Sequence, residues 1–181
     1  MKKKIIITGG LGYIGTELCK LYSGVSWHHE IIVIDNRFIS ERVNQIRNWN
    51  MKFIQGDILD NDLIEKYFKD ADIVHHLAGI TDVPRTQSEA SKLQDAKIQE
   101  VGEKGTQNIL NVISDKCKII FPSTHVVFEG INGVKTNIEE NENLKPVLSY
   151  STSKAINETQ LKKSGKNYVI LRLGSVYGYS T

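Results

Sequence analysis

The sequence predicts an α/β fold, a doubly wound parallel sheet with helices on both faces. Three observations carry this expectation. Apolar, β-branched runs alternate with stretches of helical periodicity along the whole chain. The first run, Lys4-Ile5-Ile6-Ile7-Thr8, passes directly into Gly9, Gly12 and Gly15 at the spacing G-x-x-G-x-x-G. The second run, Ile31-Ile32-Val33-Ile34, ends on Asp35, 20 residues beyond Gly15.

The elements follow in order. Continuous apolar runs read as strands covered on both faces. They fall at 4–8, 31–35, 52–55, 73–77, 117–122 and 168–173. Helical periodicity resumes at Thr16-Glu17-Leu18-Cys19-Lys20-Leu21, giving a helix at 13–23, with others at about 40–48, 61–69, about 90–114 and about 149–164. Right-handed crossovers favour the strand order 3-2-1-4-5-6. A ligand crevice is then expected beyond the strand C-termini, at the switch between the first and fourth strands.

Size and charge narrow the function. The 181 residues read as one domain, 1–181, large enough for a real core. Apolar residues make up 40% and charged residues 24%, ordinary globular values, and the net charge of +2 gives no reason to invoke nucleic acid. The Lys2-Lys3-Lys4 run reads as a solvated strand entrance. No apolar run approaches membrane-spanning length and no signal peptide is visible. Cys19 and Cys117 read as reduced, buried thiols of a cytoplasmic protein. There are no internal repeats and no low-complexity linker.

Strand, glycine turn and helix in succession put a pyrophosphate on a helix N-terminus. Glycines allow the tight turn and the close approach of phosphate oxygens to backbone amides. Asp35 stands where a carboxylate bonds adenosine ribose hydroxyls. Gly9, Asp35, Asp57, Ala78-Gly79, Thr124 and Ser175 all fall at the same set of strand ends. Asp57 can accept from an adenine amino group, or cap the helix starting near Asn61. His75-His76-Leu77-Ala78-Gly79 closes the fourth strand with small residues that leave room for a cofactor. His75 and His76 point to opposite faces and cannot share a metal, and His28-His29 and His125 have no ligand partners at recognisable spacing, so no metal site is expected.

Tyr150 and Lys154 stand at i and i+4, on one helix face. A nearby ammonium favours the phenolate, so Lys154 is expected to lower the Tyr150 pKa and make it an acid or base near neutral pH. The plain alternative is a surface helical pair. Position favours chemistry: Phe121-Pro122-Ser123-Thr124 ends the fifth strand, and its hydroxyl can bond a substrate oxygen beside the tyrosine.

Together these residues resemble the extended short-chain dehydrogenase/reductase family, the NAD-dependent sugar epimerase/dehydratase group with its Rossmann fold. The resemblance covers essentially the whole chain. Its carriers are Thr8 to Gly15, Val33-Ile34-Asp35-Asn36, Gly56-Asp57-Ile58, His76-Leu77-Ala78-Gly79, Gly105-Thr106, Ser123-Thr124, Tyr150 to Lys154, and Leu171-Arg172 through Val176-Tyr177-Gly178. It implies hydride transfer from a sugar carbon to NAD, with Tyr150 as acid/base, Lys154 as its electrostatic partner and Thr124 orienting the substrate. It implies cofactor contacts at Gly9, Gly12, Tyr13, Ile14, Gly15, Asp35, Asn36, Asp57, Ile58, Leu77, Ala78 and Gly79, with Tyr150 and Lys154 on the nicotinamide side. Asp35 then selects NAD over NADP, because a carboxylate repels a 2′-phosphate; Arg37, two residues on, weakens that preference slightly. The implied partner is a nucleotide-diphosphate sugar, with no nucleic acid and no membrane, and a homodimer through the long helices.

The sequence also departs from the family pattern. His125 and Val126 stand where dehydratases carry acids, which argues against 4,6-dehydration. Gly102 replaces an asparagine that precedes the Gly-Thr pair, and Ser175 replaces one that contacts the substrate diphosphate. Family members continue into a C-terminal substrate lobe, which is absent from this chain. The expectation is therefore the cofactor-binding portion of a longer enzyme, or a natural short form, with apolar surface exposed where the lobe would dock. Two other readings stand beside an epimerase: a non-catalytic NAD-binding module, and an NADP-dependent keto-sugar or carbonyl reductase.

Overall fold

In the computed structural model, residues 1–81 and 92–178 are described. Six parallel strands form one sheet in the order β3-β2-β1-β4-β5-β6, as expected. The strands are β1 Lys4–Thr8, β2 Glu30–Asp35, β3 Lys52–Gln55, β4 Ile73–His76, β5 Lys118–Thr124 and β6 Asn167–Leu173. The helices are α1 Tyr13–Ser23, α2 Ser40–Asn48, α3 Asn61–Phe68, α4 Lys92–Gln99, α5 Gly105–Val112 and α6 Ser149–Lys163. The start of the long helix expected at about 90–114 lies outside the described residues. The helix is interrupted by a π-helical turn, Glu100–Lys104, between α4 and α5.

Strand alternation sorts the apolar side chains into two cores. Ile5, Ile7, Ile31 and Val33 pack with Leu11, Cys19, Val43, Ile46 and Met51 under α1 and α2. Ile6, Ile32, Ile34 and Val74 pack with Ile64, Phe68, Ile109, Ile119, Phe121 and Leu161 under α3, α5 and α6. Both cysteines are buried and unpaired, and burial pushes their thiols up, to about 12 for Cys19 and about 11 for Cys117. No helix among the described residues is long and apolar enough to cross a membrane. Tyr168 and Leu171 on the edge strand β6, and Val176 and Tyr177 after it, are exposed apolar side chains.

Between β1 and α1 the backbone is packed too closely for side chains. Gly9 has φ +65°, and a Cβ there would sit 2.8 Å from the Ala78 nitrogen on β4's exit. A Cβ on Gly15 would sit 2.4 Å from the Gly9 carbonyl oxygen. Gly15→Ala is therefore expected to lower the unfolding free energy by about 1–3 kcal/mol. Gly24→Ala, at an αR position with nothing within 4 Å, is expected to be neutral or slightly stabilising. Urea denaturation of the two variants tests this, and equal stabilities would refute the close-packing account.

Candidate active site

The strand order changes direction between β1 and β4, and the glycine turn sits at that point. The Gly9 amide donates to Ile34 O at 2.8 Å, and the Gly12 amide to Gly9 O at 3.0 Å. Gly12 is the N-cap of α1; no side chain caps this helix, and its first turn carries no acid. The amides of the first turn have no carbonyl partner within the helix, so this helix end presents donors and positive dipole to a ligand. Tyr13 and Ile14 are exposed at the same end. The Tyr13 hydroxyl donates to Gly178 O at 2.7 Å, bringing the segment after β6 across to α1.

Asp35 is buried, and its carboxylate orders the turn beside it. Oδ2 accepts from the Leu11 amide at 3.0 Å, and Oδ1 from the Arg37 amide at 3.0 Å and Arg37 Nε at 3.3 Å. Asn36 is exposed and donates Nδ2 to Asp57 Oδ2 at 3.1 Å. Asp57 Oδ1 accepts from the Leu59 amide. The helix-capping alternative for Asp57 is corrected: Asp60 caps α3, accepting from the Leu63 amide at 3.1 Å, because it is the residue directly before the helix. The Ile58 side chain is buried in the core, where a Cβ on Gly105 would meet it at 2.3 Å. Leu77 and Ala78 are half-buried, and Gly79 has open space around it.

The two histidines face opposite ways, as their strand positions require. His75 Nε2 pairs with the Tyr22 hydroxyl at 2.8 Å. His76 lies on the other face in a buried polar line. Its Nδ1 pairs with Thr8 Oγ1 at 3.0 Å and its Nε2 with Thr106 Oγ1 at 3.0 Å, while Thr8 Oγ1 accepts from the Ala78 amide. This line ties the ends of β1 and β4 to α5. Among the described residues, no group of three or more His, Cys, Asp or Glu is placed to hold a metal.

At the end of β5, Thr124 is nearly buried and Oγ1 accepts from the Val126 amide at 3.3 Å, opening the 3₁₀ turn His125–Phe128. Tyr150 lies in the first turn of α6 and Lys154 one turn on, both half-buried. Lys154 Nζ donates to Pro122 O at 2.9 Å and stands 4.5 Å from the Phe121 ring centre and 5.9 Å from that of Tyr150. Burial pulls the Lys154 ammonium down to about 8. The expected lowering of Tyr150 is corrected: burial raises its pKa, and the Lys154 ammonium is hydrogen-bonded to Pro122 O.

Sequence reasoning assigned no role to the groups that seat α6. Its buried residues are Ser151, Ser153, Asn157, Glu158 and Leu161, four of them polar. Glu158 is wholly buried. It accepts from Ser123 Oγ at 2.7 Å and from Arg172 Nε and Nη2 at 2.9 and 2.7 Å. Burial alone would raise its pKa, but Arg172 and Ser123 hold it below the usual carboxylate range. Asn157 Nδ2 donates to Gly102 O at 3.0 Å and Gln160 Nε2 to Glu103 O at 3.1 Å, so two side-chain amides on α6 satisfy carbonyls of the π turn. A Cβ on Gly102 would meet Ser153 Oγ at 2.2 Å, so the departure at Gly102 makes room for α6. Glu158, at i+4 from Lys154 and followed by Arg172 on the next strand, was findable as a charge pair; the amide contacts to the π turn leave no sequence signal.

An uncapped glycine turn at the sheet's switch point, an acid closing β2 and a Tyr/Lys pair on the helix after β5 define a dinucleotide-binding α/β protein of the short-chain dehydrogenase type. The chain belongs to the NAD dependent epimerase/dehydratase family, whose model matches residues 5–181. It is 29% identical to a dTDP-D-glucose 4,6-dehydratase of Dictyostelium discoideum, over 97% of this chain and 44% of that protein. It resembles the UDP-N-acetylglucosamine 4-epimerase of Methanobrevibacter ruminantium M1 in complex with UDP-N-acetylmuramic acid (TM-score 0.75, 30% identity, 95% of this chain, 55% of that one). It also resembles the UDP-glucuronic acid 4-epimerase of Bacillus cereus in complex with NAD (TM-score 0.77, 26% identity, 97% of this chain, 57% of that one). The chain thus spans about half the length of these relatives.

The buried histidines give the fold a pH signature. Desolvation lowers His75 to about 4 and His76 to about 3, the latter helped by the Lys154 charge. Unfolded histidine titrates near 6.5. Their contribution is therefore fully present above about pH 6.5 and lost as pH falls toward those values, by up to about 1.4 kcal/mol per pH unit for each. Denaturant unfolding at pH 7, 6 and 5 is expected to show this decline, and a flat profile would rule it out.

Proposed function

We propose that the chain is the NAD-binding portion of an enzyme that acts on a nucleotide-diphosphate sugar by hydride transfer, with epimerisation as the outcome. The observation that carries this reading is the bare N-terminus of α1 beside the Asp35 carboxylate, in the same crevice side as the C-terminal ends of β4 and β5. The donor set fits a dinucleotide: first-turn amides of Tyr13 and Ile14 for the pyrophosphate, Asp35 with Asn36 for the adenosine ribose, and Asp57 with Ile58 for the adenine side. Leu77, Ala78 and Gly79 form the small-residue floor, and Tyr150 and Lys154 serve the nicotinamide end. Asp35 favours NAD, since its buried carboxylate would face a 2′-phosphate. The NAD epimerase complexes among the similar structures support the cofactor, and the UDP-sugar enzymes support the substrate class. When bound, NAD supplies hydride acceptance from a sugar carbon.

The chain's own groups handle the proton. Tyr150 exchanges it with the sugar hydroxyl, and Thr124 orients the same oxygen. With its pKa raised by burial, Tyr150 rests as the neutral phenol and is ready to donate. Accepting a proton requires the phenolate, which Lys154 favours if its ammonium moves from Pro122 O toward the phenol. His125 and Val126 offer no acid beside Thr124, which favours epimerisation over dehydration.

Thermal unfolding of the chain with NAD and with NADP tests the cofactor assignment. A ligand at 100 times its Kd adds about 2.7 kcal/mol to the folded state. A rise with NAD alone is the expected outcome, and no rise with either cofactor defeats it. In the complete enzyme, Tyr150→Phe is expected to keep the NAD shift while abolishing most NADH absorbance on addition of UDP- or dTDP-sugars. NAD binding without hydride transfer from any such sugar in the complete enzyme would favour the non-catalytic module.

A further inference from the structure

We infer that Glu129 is a positioning residue: it holds the first turn of α6, and with it Tyr150, against the segment that leaves Thr124. The α6 helix needs such a group. Its N-cap is Leu148, which has no side chain able to cap, and its first turn contains no acid. The orphan amides at this end and the positive end of the helix dipole call for an acceptor, best an anion. Glu129 places an anion at this end from another part of the chain, held by the two amides that lead into the helix and by a first-turn hydroxyl. Its Oε1 accepts from the Val147 amide at 2.8 Å, from the Leu148 amide at 2.8 Å, and from the Ser151 hydroxyl. The Ser151 hydroxyl also lies 2.9 Å from Leu148 O and can donate to one acceptor at a time. Burial would raise the Glu129 carboxyl, yet these donors hold it below its ordinary value.

The backbone around Glu129 continues the same seam. The Lys145 amide donates to Val127 O at 2.9 Å and the Gly130 amide to Lys145 O at 2.8 Å. A Cβ on Gly130 would come within 2.7 Å of Lys145 O, so the residue after Glu129 has to be small. One short stretch therefore begins with the Thr124 hydroxyl, passes through the 3₁₀ turn and ends by gripping the turn that carries Tyr150. The distance between the substrate-orienting hydroxyl and the acid/base is fixed by this seam. The catalytic consequence rests on the proposed function; the grip itself does not.

Glu129→Ala and Glu129→Gln separate the outcomes. All three contacts use one oxygen, and glutamine retains a carbonyl oxygen there. Amide hydrogen exchange in Glu129→Ala is expected to be about tenfold faster over 147–153 while β1 and α1 keep their protection. Glu129→Gln is expected to exchange at close to the parent rate. Unchanged exchange in Glu129→Ala overturns the inference, as does acceleration spread evenly over all elements or an equal loss in Glu129→Gln. In the complete enzyme acting on a UDP-sugar, kcat is expected to drop about tenfold in Glu129→Ala with KM unchanged, and to return in Glu129→Gln. A complete enzyme that binds NAD without turnover refutes the catalytic reading and leaves the exchange result to decide the role of Glu129.

Discussion

The backbone contact between the ends of β1 and β4 is the constraint on which the rest depends. At Gly9 the chain passes so close to Ala78 that no Cβ fits, and α1 then starts so close to Gly9 that Gly15 must be bare as well. This contact lets the Ala78 amide reach Thr8 Oγ1, and so lets the Thr8–His76–Thr106 line form. It also aims the open end of α1 into the space beyond the sheet instead of at a neighbouring side chain. A helix start that is neither capped by a side chain nor lined with acids would be a defect elsewhere on the surface. At the switch between β1 and β4 it leaves backbone donors at the strand ends, where open α/β sheets take their ligands.

The second constraint is how α6 is seated. Apolar packing attracts without direction, whereas hydrogen bonds fix orientation. Apart from Leu161, the buried face of α6 is polar, and each of its anchors reaches a different element: Glu129 after β5, Pro122 and Ser123 on β5, Arg172 on β6, and the π turn through Asn157 and Gln160. Such a seat is costly to disturb. Removing one member of a buried charge pair such as Glu158–Arg172 typically costs about 3–5 kcal/mol, because the survivor is left uncompensated. The gain is a single register for Tyr150 and Lys154 relative to the sheet.

Legibility in the sequence followed the physics of each feature. β1 and β2 were readable to within a residue because buried parallel strands are uninterrupted apolar runs, and Gly9, Gly12, Gly15 and Asp35 were readable because a turn and a strand end constrain residue type locally. Asp57 was ambiguous because a carboxylate a few residues before a helix looks like a cap, and only the structure shows Asp60 in that place. The π turn was not readable: Gly102 stood out as a departure, but the α6 side-chain amides that satisfy the turn's carbonyls, from Asn157 and Gln160, lie far downstream. Glu129 was silent for a similar reason. Its partners lie 18 to 22 residues downstream, and no local pattern announces a cap supplied from a distant loop.

The Tyr150 environment shows why an i,i+4 spacing alone overstates what a lysine does to a tyrosine. The pair shares a helix face, yet the ammonium follows the strongest acceptor within reach, the Pro122 carbonyl, and lies over the Phe121 ring. Desolvation then governs the phenol, and its pKa rises. Lys154 is itself depressed toward neutrality by burial, so its charge is poorly solvated where it stands. Burial thus favours the neutral phenol at Tyr150, and an ammonium brought nearer to the phenol oxygen would favour release of its proton.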